Sequence, residues 1–175
     1  MNIFRYFNKN FKVLITYGSQ TGNAETISHI LKKQLSSFFI SDIEICPLND
    51  VVNIQSFNTY DFVIILLSTT GDGDFPDNSN KFWRICRKYF NKDLDKTNYC
   101  ILGLGSSDYN NFCSPSKSLD MRLRKNKANS FLPIEFADDA TGLQDVVDPW
   151  LEKITSFLKF KQKNIQNWFI KSMTS

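Results

Sequence analysis

The chain of 175 residues is long enough for one domain with a single hydrophobic core and too short for two well-buried domains. Its apolar content of 42%, with 16 phenylalanines, excludes a disordered chain, and its net charge of +3 is too small to indicate a nucleic-acid partner. The four cysteines form no CxxC pair and the chain has one histidine, which disfavours a zinc site and predicts free thiols in a reducing, cytoplasmic compartment. The sequence contains no apolar run of the length that a membrane span or a signal peptide needs.

Short apolar segments alternate with helical stretches along the chain. Strands are predicted at residues 11–17, 42–46, 61–68, 99–105 and 131–137, and helices at residues 24–38, 78–90, 112–127 and 143–160. The third and fourth strands are continuously apolar, as central strands are when helices cover both faces of a parallel sheet. The segment between the second and third strands has room only for a short helix or a loop. This alternation predicts a single α/β domain with a doubly wound parallel sheet.

The segments that follow four of the predicted strands share an unusual composition. They read GSQTGNAET, STTGDGDFPDN, GSSDYNNFCS and DDATGLQD, and each is rich in glycine, small polar residues or aspartate. A doubly wound sheet binds its ligand at the carboxyl ends of its strands. We therefore expect these four loops to form one binding site.

The first of these loops, GSQTGNAET, contains no lysine or arginine and leads directly into a predicted helix. Unpaired N–H groups at a helix N-terminus attract an anion without a basic side chain, and Ser19, Thr21 and Asn23 add polar side chains. The loop lacks the lysine of GxxxxGK[ST], the glycines of GxGxxG, and the Cys–Arg pair of a cysteine-dependent phosphatase. It therefore predicts a phosphate that is bound and not attacked, with an ordinary capped helix start as the alternative.

The next two loops provide conformational freedom and an aromatic ring. Gly71 and Gly73 permit backbone conformations that other residues avoid. Tyr109 is placed where its ring can stack on a planar ligand, although a tyrosine at the rim of the site with its hydroxyl in water is an equal alternative.

Taken in order, the motifs GSQTGNAET, STTGDGDFPDN, GLGSSDYNNF and ADDATGLQDVVDPW resemble the FMN-binding, flavodoxin-like domain of the diflavin reductases, the group that includes cytochrome P-450 reductase. The resemblance covers residues 11–158. It implies a five-stranded parallel sheet of order 2-1-3-4-5 with helices on both faces, and FMN as the cofactor. It divides the chain into an N-terminal extension (1–10), an FMN-binding domain (11–160) and a C-terminal tail or linker helix (161–175).

The resemblance also assigns cofactor-binding residues. The phosphate loop comprises Ser19, Gln20, Thr21, Gly22, Asn23 and Ala24. The first ring-binding loop, in which a peptide next to flavin N5 reorients with redox state, comprises Ser68, Thr69, Thr70 and Gly71. The second comprises Leu104, Gly105, Ser106, Ser107, Asp108, Tyr109, Asn110, Asn111, Phe112 and Cys113, and Asp139 is the acidic residue near the cofactor. The chain departs from the family at Thr70, where cytochrome P-450 reductases have an aromatic residue, and at Ser106, where many relatives have Asp or Asn.

The function implied by the resemblance is a one-electron relay. In the family, FMN receives electrons from an NADPH-reduced FAD in a C-terminal module that this chain does not contain. That module is therefore expected to act in cis or in trans. The isolated chain is not expected to oxidise NADPH. The chain is thus either an excised domain or a free-standing flavodoxin-like protein. A rim of aspartates would lower the potential of the reduced flavin and attract a basic protein acceptor. These residues are Asp72, Asp74, Asp77, Asp108, Asp138, Asp139, Asp145 and Asp148.

Two branches of the family remain open. DNSNKFWRICRK resembles the reductase of cytosolic iron–sulfur cluster assembly, which implies an iron–sulfur protein as acceptor, and we favour this branch. FCSPSKSLDMRL and ADDATGLQDVV resemble methionine synthase reductase instead. A receiver domain is disfavoured because its acidic pair after the first strand is missing, and a quinone reductase acting alone would have to oxidise NADPH itself.

Overall fold

The computed structural model describes residues 11–38, 42–88 and 93–173 of the chain, so the predicted extension at residues 1–10 lies outside the described part. The strands are β1 Lys12–Gly18, β2 Asp42–Pro47, β3 Phe62–Ser68, β4 Asn98–Gly105, β5 Asn129–Ser130 and β6 Glu135–Asp138. The helices are α1 Asn23–Ser36, α2 Asp77–Lys88, α3 Ser114–Lys125 and α4 Gln144–Met173. Two short 3-10 helices, Leu48–Asp50 and Ile54–Thr59, occupy the segment predicted to be irregular.

The strands form one parallel sheet in the order β2-β1-β3-β4-β5, and β6 also pairs with β4. Ile64 in the middle of β3 lies opposite Ile15 of β1 and Cys100 of β4. All seven residues of β3 are buried, as its continuous apolar sequence predicted. The predicted doubly wound sheet of order 2-1-3-4-5 is therefore confirmed.

The prediction of a single fifth strand at residues 131–137 was wrong. The two short strands β5 and β6 occupy that position and pair with opposite ends of β4. Pro133 lies between them and has no N–H group to donate to a strand ladder. The Ser130 hydroxyl donates to the Leu132 carbonyl at 2.6 Å, so the chain turns locally here instead of extending.

The helices agree with the predictions except at their ends. Helix α3 begins two residues later than predicted because Cys113 has a φ of 53°, in the left-handed region that a right-handed helix does not use. Helix α4 continues to Met173, well past the predicted end at residue 160, because residues 161–173 contain no glycine or proline to stop it. The assignment of residues 161–175 as a tail or linker helix stays a prediction.

Two hydrophobic cores lie on opposite faces of the sheet. Helices α1 and α4 pack on one face, where Trp150 is the largest fully buried side chain, and α2 and α3 pack on the other. At the amino ends of the strands, the Phe62 ring makes edge contacts with Phe11, Phe131 and Phe157 at centroid distances of 5.0, 5.2 and 5.8 Å. This cluster accounts for part of the high phenylalanine content. None of the helices in the described ranges is both long and apolar enough to cross a membrane.

The close packing of α3 on β4 depends on Gly103. A Cβ at this position would lie 3.0 Å from both Ser116 Cβ and Phe136 Cδ1, and closer still to Ser116 Oγ. We expect Gly103→Ala to lower the free energy of unfolding by about 1–3 kcal/mol, since extra volume in a packed core forces its neighbours apart. Urea unfolding measures this change. Adding Ser116→Ala should restore part of the loss, and an unchanged midpoint for Gly103→Ala alone would contradict the packing described here.

Candidate functional site

A cleft of about 380 Å³ opens at the carboxyl ends of β1, β3 and β4. Its walls come from all four loops that the sequence singled out. The lining residues are Thr21, Asn23, Ser68, Thr69, Thr70, Gly71, Leu104, Gly105, Ser106, Tyr109, Asn111, Phe112, Asp139 and Leu143. Leu143 alone among them was not predicted, because a leucine before a helix has no feature that marks it as a ligand contact.

The first loop has the geometry of an anion site. Gly22 precedes α1 with a φ of 96°, and no side chain caps the start of this helix. A Cβ at Gly22 would meet no atom within 4 Å, so the space beside the loop is open. Thr21 and Asn23, on either side of Gly22, both line the cleft. The N–H groups of the first helical turn are therefore available to an anion in the cleft.

Hydrogen bonds from the start of α2 hold this first loop in place. The Ser19 N–H donates to Asn78 Oδ1 at 2.8 Å, and the Ser19 hydroxyl accepts from the Gly22 N–H at 3.1 Å. Gln20 and Asp77 are joined twice, at 3.1 and 3.3 Å. Ser19 and Gln20, predicted as ligand contacts, thus lie beside the cleft and shape the loop. The sequence did not predict Asn78, because its partner is 59 positions away.

A tight turn formed by residues 70–74 makes the next wall. Thr70 and Asp74 exchange backbone hydrogen bonds at 3.0 and 2.8 Å. Gly73 has a φ of 101° and packs so closely on the next loop that a Cβ would lie 2.5 Å from the Asn111 Cβ. Asn111 in turn donates to the Asp72 carbonyl at 2.8 Å. The turn and the loop of residues 105–113 are therefore one packed unit.

Thr69 connects the two loops that form this wall. Its N–H donates to the Leu104 carbonyl at 2.8 Å, and its hydroxyl is buried. The hydroxyl lies near enough to the Cys113 thiol to oppose the rise in that thiol's pKa. Thr69 therefore joins the loop after β3 to the loop after β4 at this wall of the cleft.

Asp138 orders the loop that carries Tyr109. Its Oδ1 accepts from the N–H groups of Ser107 and Ala140 at 2.9 and 3.0 Å. The hydroxyl and N–H of Ser107, and then the N–H of Ala140, hold the pKa of Asp138 below its ordinary value. The neighbouring Asp139 donates its N–H to the Gly105 carbonyl at 2.8 Å and lines the cleft. The sequence placed Asp138 in the acidic rim and did not predict that it would order this loop.

The far end of the same loop is fixed by Cys113 and Lys117. Burial raises the pKa of the Cys113 thiol to about 12, against the opposing influence of Lys117, so the thiol is neutral at ordinary pH. The Lys117 ammonium donates to the Phe112 carbonyl at 2.6 Å and lies 5.4 and 5.2 Å from the ring centroids of Phe112 and Phe136. Cys113 is thus a structural residue, and the ring of Phe112 is held at the wall of the cleft.

The remaining predicted residues differ in their placement. Tyr109 lines the cleft with 63% of its surface exposed, so its ring is free to contact a ligand. Ala24, in the first turn of α1, is fully buried, while Asp108 and Asn110 are exposed and do not line the cleft. The predicted rim is largely exposed, with Asp138 half-buried and the other members at the surface: Asp72, Asp74, Asp77, Asp108, Asp139, Asp145 and Asp148.

The fold and the cleft define a doubly wound α/β protein whose cleft lies at the carboxyl ends of its first, third and fourth strands. The family model described as Flavodoxin matches residues 15–150, and the chain belongs to this family. Its fold is similar to that of a flavodoxin from Streptococcus pneumonia TIGR4, with a TM-score of 0.68 and 24% identity over 85% of this chain and 98% of that one.

Two relatives of this chain are much longer proteins. NADPH-dependent diflavin oxidoreductase 1 from Danio rerio is 38% identical over 87% of this chain, and methionine synthase reductase from Caenorhabditis elegans is 35% identical over 83%. These matches cover 25% and 21% of the two relatives. The chain thus spans about a quarter of the length of the curated relatives that it matches.

The hydrogen bonds of Asp138 predict a pH dependence of stability. Because folding lowers the pKa of this carboxyl, its contribution is complete above the unfolded pKa of about 4 and is lost as pH falls through the folded value. We expect Asp138→Asn to lower the urea midpoint at pH 7. Near pH 2 the urea midpoints of Asp138→Asn and the unmodified chain should be equal. Asp108→Asn is the control, since the Asp108 carboxylate accepts no hydrogen bond from the residues described. A constant difference between Asp138→Asn and the unmodified chain at all pH values would argue against this role.

Proposed function

We propose that this chain is an FMN-binding electron-transfer domain of the diflavin reductase type. The observation that carries the proposal is the cleft itself, because one wall is an uncapped helix start and the other is a pair of interlocked loops with an exposed tyrosine. FMN has a phosphate at one end and a planar ring at the other. The two walls match these two ends in chemical character.

The phosphate end is served by the start of α1. The open space beside Gly22 and the free N–H groups of the first turn suit an anion with several oxygen atoms. Thr21 and Asn23 add side-chain donors at the same wall. The bonds from Asn78 and Asp77 keep the loop in this shape before any ligand arrives, which reduces the ordering cost of binding.

The ring end is served by the other loops. Ser68, Thr69 and Thr70 line this part of the cleft and bring polar groups to the ring heteroatoms and carbonyls of the ligand. Tyr109 offers an exposed aromatic face for stacking, and Leu104 and Leu143 offer apolar contact. All other residues predicted from the resemblance as FMN contacts remain part of this proposal.

Bound FMN would supply one-electron transfer between a two-electron donor and a one-electron acceptor. The chain's own residues position the ring and set the charge around it. Gly71 has a φ of 51°, and a Cβ there would come no closer than 3.5 Å to Asp74 Oδ2, so the backbone next to the ring has space to reorient. The exposed aspartates around the cleft favour a positively charged protein partner and oppose added negative charge.

The proposed donor is an FAD module reduced by NADPH, in cis or in trans, and the proposed acceptor is a protein of cytosolic iron–sulfur cluster assembly. The similarity to NADPH-dependent diflavin oxidoreductase 1 supports this branch. A role with methionine synthase is the alternative, supported by the similarity to methionine synthase reductase. A cytoplasmic location belongs to the same proposal.

Fluorescence quenching with two ligands tests the proposed orientation of the cofactor. Riboflavin has the ring of FMN without its phosphate. We expect one FMN to bind per chain, more tightly than riboflavin, and Thr21→Ala to weaken FMN about 10-fold or more while leaving riboflavin nearly unchanged. Tyr109→Ala should weaken the binding of both ligands by a similar factor, about 5- to 150-fold, since stacking contributes about 1–3 kcal/mol.

The two variants serve as controls for each other, because both side chains are exposed and neither supports the core. A chain that does not quench FMN fluorescence would overturn the proposed function. Equal affinity for FMN and riboflavin would remove the phosphate loop from the proposal, and unchanged affinity in Tyr109→Ala would remove the stacking role.

A reductase acting alone on NADPH is the competing enzyme activity. We expect the FMN-loaded chain by itself to show no oxidation of NADPH, measured by absorbance at 340 nm, and to be reduced only when an FAD-containing reductase is added. Turnover of NADPH by the chain alone would favour the competing activity.

A further inference from the structure

A second cleft lies between α2 and α3. Its volume is about 370 Å³, close to that of the first cleft and within the range of small-molecule sites. The turn formed by residues 70–74 separates the two clefts, since Thr70 and Gly71 line the first and Gly73 and Asp74 line the second. The two clefts share no lining residue, so the second is not an extension of the first.

Two arginines give this second cleft its chemical character. Arg84 and Arg87 lie one turn apart on α2, both line the cleft and both are exposed. Neither has a carboxylate within salt-bridge distance in the part of the chain that the structure describes. Guanidinium groups at this spacing lie on one side of a helix and can hold a phosphate from two directions.

The opposite wall supplies hydroxyl groups. Ser114 and Ser118 lie one turn apart on α3 and line the same cleft. Two guanidinium groups across from two hydroxyl groups form a set of donors, which suits a ligand with several acceptor oxygens.

An aromatic ring and one carboxylate complete the lining. The Trp83 indole stacks on the Phe75 ring at 4.6 Å with an interplanar angle of 12°, and this contact holds it in place as a wall. Asp74 also lines the cleft, so the charged side chains of the cleft are two arginines and one aspartate. Asp74 precedes α2, whereas Arg84 and Arg87 lie in its second half. The anionic part of a ligand therefore belongs at the arginine end.

We propose that this second cleft binds a small phosphorylated ligand whose phosphate is held by Arg84 and Arg87. The proposal does not depend on FMN binding, because it rests on a different cleft. The ligand's phosphate lies between the arginines of α2 and the serines of α3. Any ring that it carries packs against Trp83.

Calorimetric titration with ADP and, separately, with inorganic pyrophosphate tests this proposal. The chain is first loaded with one equivalent of FMN and unbound FMN is removed, so that the first cleft does not take the probe and no free FMN competes for the second cleft. We expect one ADP per chain, with affinity reduced about 10-fold or more in the Arg84→Gln/Arg87→Gln double variant. Ser118→Leu, which keeps both arginines and narrows the cleft, should reduce the affinity similarly. Tighter binding of ADP than of pyrophosphate would identify a nucleotide-like ligand, and equal binding would identify the phosphate group alone as the recognised feature.

Lys81→Gln/Lys125→Gln is the matched control, because it removes two exposed charges from the same two helices outside the cleft. Its affinity for ADP should stay within about twofold of the unmodified chain. The proposal is overturned if no saturable binding of either probe occurs at millimolar concentration, if the arginine variant binds normally, or if the control loses as much affinity as the arginine variant. Retained FMN affinity and an unchanged melting temperature would establish that each variant is folded.

Discussion

The parallel pairing of β3 with β1 on one side and β4 on the other determines where every part of the site lies. In a parallel sheet all strands end at the same edge, so three loops far apart in the chain begin side by side. Gly18, Ser68 and Gly105 end these three strands, and the loops that follow form the walls of the first cleft. The complete burial of β3 makes this arrangement costly to disturb.

Contacts between the loops then give the site its detailed shape. The start of α2 holds the loop after β1 through Asn78 and Asp77, and Asn111 holds the turn after β3 through its packing on Gly73. Each loop is therefore supported by another loop rather than by its own residues alone. The 70–74 turn lies between the two clefts, with Thr70 and Gly71 lining the first and Gly73 and Asp74 lining the second.

Much of the fold could be predicted from the sequence because local patterns encode it. The continuous apolar runs of β3 and β4 and the helical spacing of α1 are properties of neighbouring residues, and the glycine-rich loops at the strand ends indicated where the cleft lies. The split of the last strand at Pro133 and the support of Ser19 by Asn78 could not be predicted in the same way. The first depends on which end of β4 each short segment meets, and the second on two side chains that only the folded sheet brings together.

The phenylalanine cluster around Phe62 lies at the opposite end of the sheet from the cleft. Phe62 begins β3 and Ser68 ends it, so one strand of about 20 Å runs from the phenylalanine cluster to the edge of the sheet that carries the first cleft. The aromatic packing and the cleft therefore occupy opposite ends of the same strand, so a change in one loop of the cleft acts about 20 Å from the rings that pack around Phe62.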